Sequence, residues 1–120
     1  MNLIVQEIIE KISKVKFKNL TNEKKLQYEL MEVLSSFNIS KEFYLTKKDI
    51  IDFVIEKDNI NIGIEIKIKG SPREIYRQIE RYSKNDYLSC ILLISNKSMG
   101  LPTSINEKPL YFYNIGRNWL

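Results

Sequence analysis

The chain contains no histidine and no alanine, and it has only one cysteine, four glycines and three prolines. Without histidine it cannot build a histidine-dependent nucleophilic triad, a histidine general base or most zinc centres. The single Cys90 excludes a disulfide framework and a cysteine metal site, and its apolar surroundings predict a core residue. Any site chemistry therefore depends on carboxylates, amines, guanidinium groups, amides and hydroxyls.

Long apolar runs, repeats, low-complexity segments and a glycine-rich phosphate loop are also absent from the sequence. The N-terminal residues lack the pattern of a secretory signal, so we expect a cytoplasmic protein with no membrane segment. A hydrophobic content of 43% and a charged content of 28% in 120 residues predict one globular domain spanning 1–120. The formal charge of +4 is a mild excess that permits a polyanionic partner.

The stretch from Asp52 to Lys67 carries the most informative pattern. Its second half alternates between apolar side chains and small or polar ones, which is the period of a half-buried strand. The apolar set is Ile62, Ile64, Ile66 and Ile68, and the other set is Gly63, Glu65 and Lys67. The preceding run is also predicted as a strand, with Ile51, Phe53 and Ile55 on one face and Ile50, Asp52 and Val54 on the other. Lys57, Asp58 and Asn59 have turn chemistry, so a hairpin can bring Asp52 onto the face of Glu65 and Lys67.

This hairpin would bring two carboxylates and an amine together, and that grouping has a chemical use. Paired carboxylates repel each other, and a hard cation such as Mg²⁺ relieves the repulsion while keeping several water ligands. One such water can attack a phosphodiester while the metal and a nearby ammonium stabilise the developing charge. The alternative is that Glu65 and Lys67 form only the solvated face of an amphipathic strand, because Glu-x-Lys is common in a charged chain.

Two amphipathic helices are predicted before the first strand. Residues 2–15 have isoleucine and valine at helical spacing, which indicates a helix packed on the core or, alternatively, a partner-binding helix. After a connector at 17–20, Thr21 or Asn22 is a suitable N-cap for a second helix through about Phe37. Its apolar stripe consists of Leu26, Leu30, Val33, Leu34 and Phe37.

The second helix carries three glutamates, which helical geometry ranks. At about 100° per residue, Glu23 lies roughly 35° from the centre of the apolar stripe, Glu29 about 85° and Glu32 about 145°. Glu23 therefore points along the buried face, where an unpaired carboxylate is costly. We predict that Glu23 is the helix-borne acid of the site; the alternative is that it only complements the helix dipole.

A strand at 39–46 and a turn at 47–49 are predicted to precede the hairpin, and a helix from Pro72 to about Ser83 follows it. Ser71 is its N-cap, with Pro72 at the first helical position. The apolar stripe of this helix consists of Ile75, Ile79 and Tyr82. Gln78 and Tyr82 are neighbours one turn apart. A basic ridge consists of Arg73, Arg77 and Arg81. The ridge is either solvated, with Glu74 and Glu80 close enough for ion pairs, or a phosphate-binding surface together with Lys69.

The remaining chain is predicted to complete the sheet. The apolar run at 87–95 indicates a central strand, 96–108 a loop or a short helical turn, and 109–115 a final aromatic strand. The aromatic side chains of that last strand could stack on bases, although packing at the sheet edge is the favoured interpretation.

The order of predicted elements is helix, three strands, helix and strand, with a set of polar residues at successive points: Glu23, Asp52, Glu65-x-Lys67 and Gln78-x-x-x-Tyr82. This pattern resembles the PD-(D/E)xK nuclease superfamily, which includes Holliday junction resolvases and RecB-type nucleases. The resemblance covers about residues 21–95. Ile51 stands where the superfamily name has proline, and Asp49 is a rival of Asp52 whose odd offset places it on the other face unless the strand has a bulge.

The resemblance implies an α/β fold with a restriction-endonuclease-like core of order αβββαβ. The mixed sheet would be flanked by helices, with an extra N-terminal helix and a C-terminal strand. It also implies that Asp52, Glu65 and Glu23 hold Mg²⁺ or Mn²⁺ and that Lys67 orients the water or stabilises the transition state. Gln78 and Tyr82 would position the lysine, the metal ligands or the strand.

The activity that the resemblance implies is metal-dependent hydrolysis of DNA phosphodiester bonds, with structure selectivity and a homodimer as further options. One alternative is a toxin-like nuclease that cleaves RNA. Another is a catalytically silent nucleic-acid-binding or protein-interaction module on the same fold. Clustered carboxylates argue against the silent module, because a binding module has no need of acids that face an anionic ligand.

Overall fold

A mixed sheet of six strands, described for residues 2–116 in a computed structural model, lies between helices on both of its faces. The helices are α1 (Asn2–Ser13), α2 (Glu23–Val33) and α3 (Pro72–Ser83). The strands are β1 (Asn38–Tyr44), β2 (Ile50–Lys57), β3 (Ile60–Lys67), β4 (Cys90–Ser95), β5 (Ser104–Ile105) and β6 (Lys108–Asn114). The predicted α/β class, a mixed sheet flanked by helices, is confirmed. Within these residues, no helix is both long and apolar enough to cross a membrane.

The strand order is β1-β2-β3-β4-β6-β5. The pairs β1–β2 and β2–β3 are antiparallel, whereas β3–β4 and β4–β6 are parallel. Because a parallel neighbour needs a crossover connection, α3 runs over one face of the sheet between β3 and β4. Every residue of β4 is buried, as expected for a central strand covered on both faces.

Two apolar clusters hold the helices to the sheet. The first joins α1 and α2 to one face, and the second joins α3 to the opposite face. Ile4, Val5, Ile8 and Ile12 of α1 are buried in the first cluster, so this helix packs on the core of its own chain. Cys90 is buried there too, and burial raises the pKa of its thiol to about 11, as suits a core residue rather than a nucleophile.

Two tight hairpin turns use left-handed backbone. Asp58 and Asn59 have φ values of 53° and 62°, and they form the predicted turn between β2 and β3. Asn106 and Glu107, with φ values of 50° and 65°, form a second such turn between β5 and β6. The prediction that 96–108 is a loop or a short helical turn is therefore wrong at Ser104–Ile105, which form the short strand β5. As a result β6 lies inside the sheet rather than at its edge.

Several elements are shorter than predicted. The helix α2 ends at Val33 instead of Phe37, because the Phe37 N–H bonds to the Leu34 carbonyl in a turn at the serine pair 35–36. The strand β4 begins at Cys90 instead of residue 87, because the Tyr87 N–H bonds to the Asn85 side chain in a local turn. The helix α1 ends at residue 13, two residues before the predicted end.

The predicted face of Ile51 is wrong. Ile51 packs with Val54 and α3 in the second cluster, whereas Phe53 and Ile55 pack in the first. The β1–β2 pairing is interrupted opposite Asp52, where Glu42 has a φ of 50°. This irregularity exchanges the faces of the strand, so strict alternation does not hold across Asp52.

Candidate active site

The centre of the candidate site is the carboxylate pair Asp52 and Glu65. The backbone pairing of β2 with β3 ends at Phe53 and Ile64. Beyond this pair, the carboxylates of Asp52 and Glu65 accept hydrogen bonds from the backbone of the neighbouring strand. The Asp52 N–H donates to Glu65 Oε1 at 3.1 Å, and the Ile66 N–H donates to Asp52 Oδ2 at 2.8 Å. Each strand thus holds the acid of the other, and the predicted hairpin does bring these side chains together.

Both carboxyl groups of the pair resist ionisation. Glu65 is only 2% exposed, and burial first, then the neighbouring charge of Asp52, raise its pKa to about 8. Burial is also the largest cause that raises the pKa of Asp52 to about 6, although the backbone bond from Ile66 and the charge of Lys67 oppose it. When both groups are ionised, Asp52 and Glu65 repel each other, and a bound cation would reduce this repulsion.

Lys67 is the cation nearest to the pair. Its Nζ lies 3.6 Å from Glu65 Oε2, and its side chain is 24% exposed. Lys67 also lines a cleft, so the ammonium connects the carboxylate pair to solvent. An ammonium in this position can reach both a carboxylate and a group bound in the cleft.

Among the three glutamates of α2, Glu23 is the one next to the pair. Its Oε1 accepts hydrogen bonds from the N–H groups of Ile68 at 2.7 Å and Lys69 at 3.2 Å, and its negative charge acts on Asp52. Glu29 instead binds the connector before α2, accepting from the Lys18 N–H and the Asn19 side chain. Glu32 is exposed to solvent. The geometric ranking of the three therefore agrees with their positions.

Gln27 was not among the residues predicted from the sequence, but its side chain lies close enough to Asp52 to lower the pKa of that carboxyl group. Gln27 lies one helical turn after Glu23, so the two share one face of α2. That i, i+4 spacing was the available signal, but the prediction weighed only the acids of this helix.

Gln78 and Tyr82 form a hydrogen-bonded chain that ends on β2. Gln78 Nε2 donates to Tyr82 Oη at 2.8 Å, and the Tyr82 hydroxyl donates to the Ile50 carbonyl at 2.9 Å. Burial and the charges of Glu65 and Asp52 raise the pKa of the Tyr82 hydroxyl, which keeps it protonated as a donor. The pair thus holds the start of the strand that carries Asp52.

A cleft of about 770 Å³ opens between the start of α2, the end of β3 and α3. Its polar lining includes four cations and two acids: Lys67, Lys69, Arg77 and Arg81; Glu23 and Glu74. Gly70, in the turn between β3 and α3, has a φ of 105°, a backbone conformation that side chains rarely adopt. Asp52 and Glu65 are not part of this lining, and Lys67 is the lining residue that contacts Glu65. The cleft therefore presents a net positive surface that reaches the carboxylate pair through Lys67.

The basic ridge of α3 divides in the structure. Arg77 and Arg81 line the cleft, whereas Arg73 is exposed and does not. Within residues 2–116 the ion pairs that spacing allows with Glu74 and Glu80 do not form. Arg81 Nε instead lies 3.3 Å from Asp49 Oδ1. The rival Asp49 is thus engaged by the ridge, at the turn before β2, and does not join the carboxylate pair.

The donor chemistry fits a divalent cation held by two carboxylates and water. Asp52 and Glu65 offer the hard oxygen ligands that Mg²⁺ and Mn²⁺ prefer, and Mg²⁺ usually keeps several waters on one or two carboxylates. In the described range, 2–116, no group of three acidic or cysteine side chains is arranged to hold a metal alone. The fit is therefore to a partly hydrated ion rather than to an all-protein cage.

Comparison of the chain with protein-family models and with curated proteins finds no match. The geometry of the site therefore carries the functional argument.

Proposed function

We propose that this protein is a metal-dependent nuclease that hydrolyses phosphodiester bonds in DNA. The observation that carries the proposal is a pair of adjacent carboxylates, one buried and one half-buried, beside a lysine that lines a basic cleft. Asp52 and Glu65 would hold Mg²⁺ or Mn²⁺, with Glu23 as a further ligand, directly or through water. Lys67 would act on the scissile phosphate.

The backbone hydrogen bonds of the pair do not require its negative charge, which supports a functional reason for that charge. Asp52 and Glu65 each accept one backbone N–H, and the amide oxygens of Asn and Gln could accept the same bonds. The acids instead bring two desolvated charges together, which destabilises the fold unless a cation or a proton compensates. A site that binds a divalent cation accounts for the retained acids.

The cleft supports an anionic substrate. Four basic side chains line it against two acidic ones, and Arg77 and Arg81 offer planar donors suited to phosphate oxygens. Arg81 would exchange or share its contact with Asp49 when a phosphate enters. A polyanion in this cleft lies next to Lys67 and the carboxylate pair.

The chain's own groups have distinct tasks in this mechanism. A divalent cation bound here supplies charge stabilisation at the phosphoryl oxygens and a water of lowered pKa. Lys67 Nζ donates to the attacking water or to a non-bridging phosphoryl oxygen, where negative charge increases in the transition state. Gln78 and Tyr82 hold the Ile50 carbonyl, and they thereby position the strand that carries Asp52.

The run of elements from α2 to β4 supports a restriction-endonuclease-like core, with α1 and the β5–β6 hairpin as additions. Selectivity for a nucleic-acid structure would come from loops of this domain, from the shape of the nucleic acid or from a homodimer.

A cleavage panel tests the proposal. Purified protein is incubated with plasmid, four-way junctions, single strands and tRNA in Mg²⁺, in Mn²⁺ and in EDTA. We expect cleavage of DNA with either metal and none in EDTA, and we expect Glu65→Ala and Lys67→Ala to be folded and inactive. Cleavage in EDTA or a fully active Glu65→Ala would refute the site. Cleavage of tRNA alone would favour the toxin-like ribonuclease, and binding without cleavage would favour the silent module.

A further inference from the structure

Exposed apolar side chains gather at one end of the hairpin formed by β1 and β2. Tyr44 is 65% exposed and Ile50 is 38% exposed, and they are register partners. Their neighbours Phe43 and Ile51 pack toward α3, so Tyr44 and Ile50 project from the opposite face of the strands. This pair is adjacent in sequence to the turn that joins the two strands, residues 45–49.

The turn at residues 45–49 is held by internal hydrogen bonds. The N–H groups of Leu45 and Thr46 donate to the Asp49 carbonyl, at 2.8 and 3.3 Å. The Thr46 hydroxyl oxygen accepts from the N–H groups of Lys48 and Asp49, at 3.2 and 3.0 Å. The side chains that this turn presents, Lys47 and Lys48, are both exposed. Neither lysine forms an ion pair within the described part of the chain.

The helix α3 and the residue Asn85 after it fix this turn and the start of β2 by three contacts. Arg81 pairs with Asp49 at 3.3 Å, the Tyr82 hydroxyl donates to the Ile50 carbonyl, and Asn85 Nδ2 donates to the Leu45 carbonyl at 3.1 Å. The three contacts come from α3 and from the residues directly after its C-terminal end. The turn is therefore a preordered feature rather than a loose loop.

The turn lies beside the cleft. Antiparallel pairing brings the start of β2 alongside the end of β3, where Lys67 and Lys69 line the cleft. Arg81 lines both the cleft and a smaller depression of about 280 Å³ that is bordered by Leu45, Thr46 and Asp49. The residues that flank Lys47 and Lys48 in the chain, Thr46 and Asp49, thus border the same depression as Arg81.

We propose that the turn at residues 45–49, with Tyr44 and Ile50, is a platform for unpaired nucleotides, so that the substrate is DNA with a single-stranded segment. This inference rests on the proposed function for the presence of DNA in the cleft. Lys47 and Lys48 contact phosphates, and the Tyr44 ring stacks on a base that Ile50 also contacts.

The combination of charge and aromatic surface selects the single strand. Phosphate contacts alone serve duplex and single strand alike. A protruding aromatic ring adds binding energy only where a base face is free, because bases in a duplex already stack on one another. The platform therefore distinguishes single strands, flaps and junction ends from continuous duplex.

Binding in EDTA tests the platform separately from cleavage. Fluorescence anisotropy is measured with a labelled oligothymidylate and with a duplex of the same length, for the full chain and its variants. We expect Tyr44→Leu, which keeps an apolar side chain but removes the ring, to weaken binding to the single strand roughly 5- to 150-fold. Tyr44→Phe retains the ring and should bind as the native protein does, and duplex affinity should not change in either variant.

Lysine variants provide the second measurement. If Lys47 and Lys48 each neutralise one phosphate, Lys47→Gln and Lys48→Gln should each make the salt dependence of single-strand binding shallower by about 0.7. Lys57→Gln is the matched control, because Lys57 lies at the opposite end of β2 and pairs with Glu7. The inference is overturned if oligothymidylate does not bind, or if Tyr44→Leu leaves its affinity unchanged or weakens duplex binding equally. If single-strand binding depends on Tyr44 but the protein does not cleave DNA, the proposed nuclease activity is refuted and the proposed platform is kept.

Discussion

The carboxylate pair should make the metal-free protein less stable as pH rises, and Glu65→Gln should remove that dependence. The folded-state pKa values of Asp52 and Glu65, about 6 and about 8, lie above the unfolded values of 3.8 and 4.5. Each group therefore adds stability that is fully present below its unfolded pKa and is lost as pH rises through its folded pKa. Because the chain has no histidine, no other type of side chain has its ordinary pKa between about pH 5 and about pH 8.

The magnitude of the effect follows from Glu65. A rise in its pKa from 4.5 to about 8, at about 1.4 kcal/mol for each pH unit, corresponds to on the order of 4–5 kcal/mol once the group is ionised. Glutamine keeps an oxygen that can accept the Asp52 N–H but loses the ion pair with Lys67. We therefore expect Glu65→Gln to be more stable than the native protein by about 2–4 kcal/mol at alkaline pH.

Urea unfolding in EDTA, at about pH 5 and about pH 8, measures the effect. The native protein should lose several kcal/mol between these conditions, and Glu65→Gln should lose much less. Adding Mg²⁺ at the higher pH should restore stability to the native protein only. Glu32→Gln, which removes an exposed glutamate of α2, is the matched control and should retain the native pH dependence. A native protein of constant stability across this range, or a Glu65→Gln variant with the native slope, would refute the reasoning.

Three further predictions concern the residues around the pair. If Arg77 neutralises one phosphate, Arg77→Gln should make the salt dependence of duplex binding shallower by about 0.9. Arg73 lies outside the cleft lining, so Arg73→Gln should leave the salt dependence unchanged. Equal slopes for the two variants would contradict the assignment of Arg77, and not Arg73, to phosphate binding. Glu23→Gln should lose most cleavage at low Mg²⁺. Its free energy of unfolding should change little, because the amide oxygen can still accept hydrogen bonds from the backbone N–H groups of Ile68 and Lys69. A fully active variant would assign Glu23 to structure alone. Tyr82→Phe should destabilise the fold by about 1–3 kcal/mol in urea unfolding, since the Ile50 carbonyl loses its donor; an unchanged midpoint would remove this role.

Patterns that depend on local sequence predicted most of the fold. The left-handed turn residues Asp58 and Asn59 set the β2–β3 hairpin, and the Ser71 side chain accepts from the Glu74 N–H to begin α3 as its capping position predicts. Asp52 and Glu65 meet because the hairpin register follows from its turn and its apolar face. These features need only short-range chemistry, so they could be predicted from the sequence.

Features that depend on contacts between distant elements could not be predicted. The exchange of strand faces at Asp52 accompanies the left-handed backbone of Glu42, which no alternation pattern indicates. The pairing of Arg81 with Asp49 needs the placement of α3 against the turn before β2. Gln27 reaches Asp52 only because α2 packs on that face of the sheet. Each of these three follows from tertiary packing rather than from periodicity.

The most direct test of the central claim is the rate of DNA cleavage as a function of Mg²⁺ concentration, measured for the native protein and three isosteric variants. Asp52→Asn and Glu65→Gln remove one charge each from the pair. Glu74→Gln removes a charge from the cleft lining but outside the pair, and it is the matched control. We expect Asp52→Asn and Glu65→Gln to be folded and inactive at every Mg²⁺ concentration, while Glu74→Gln cleaves with nearly native Mg²⁺ dependence. Native cleavage by either variant of the pair, or a loss of activity equal in all three, would contradict it.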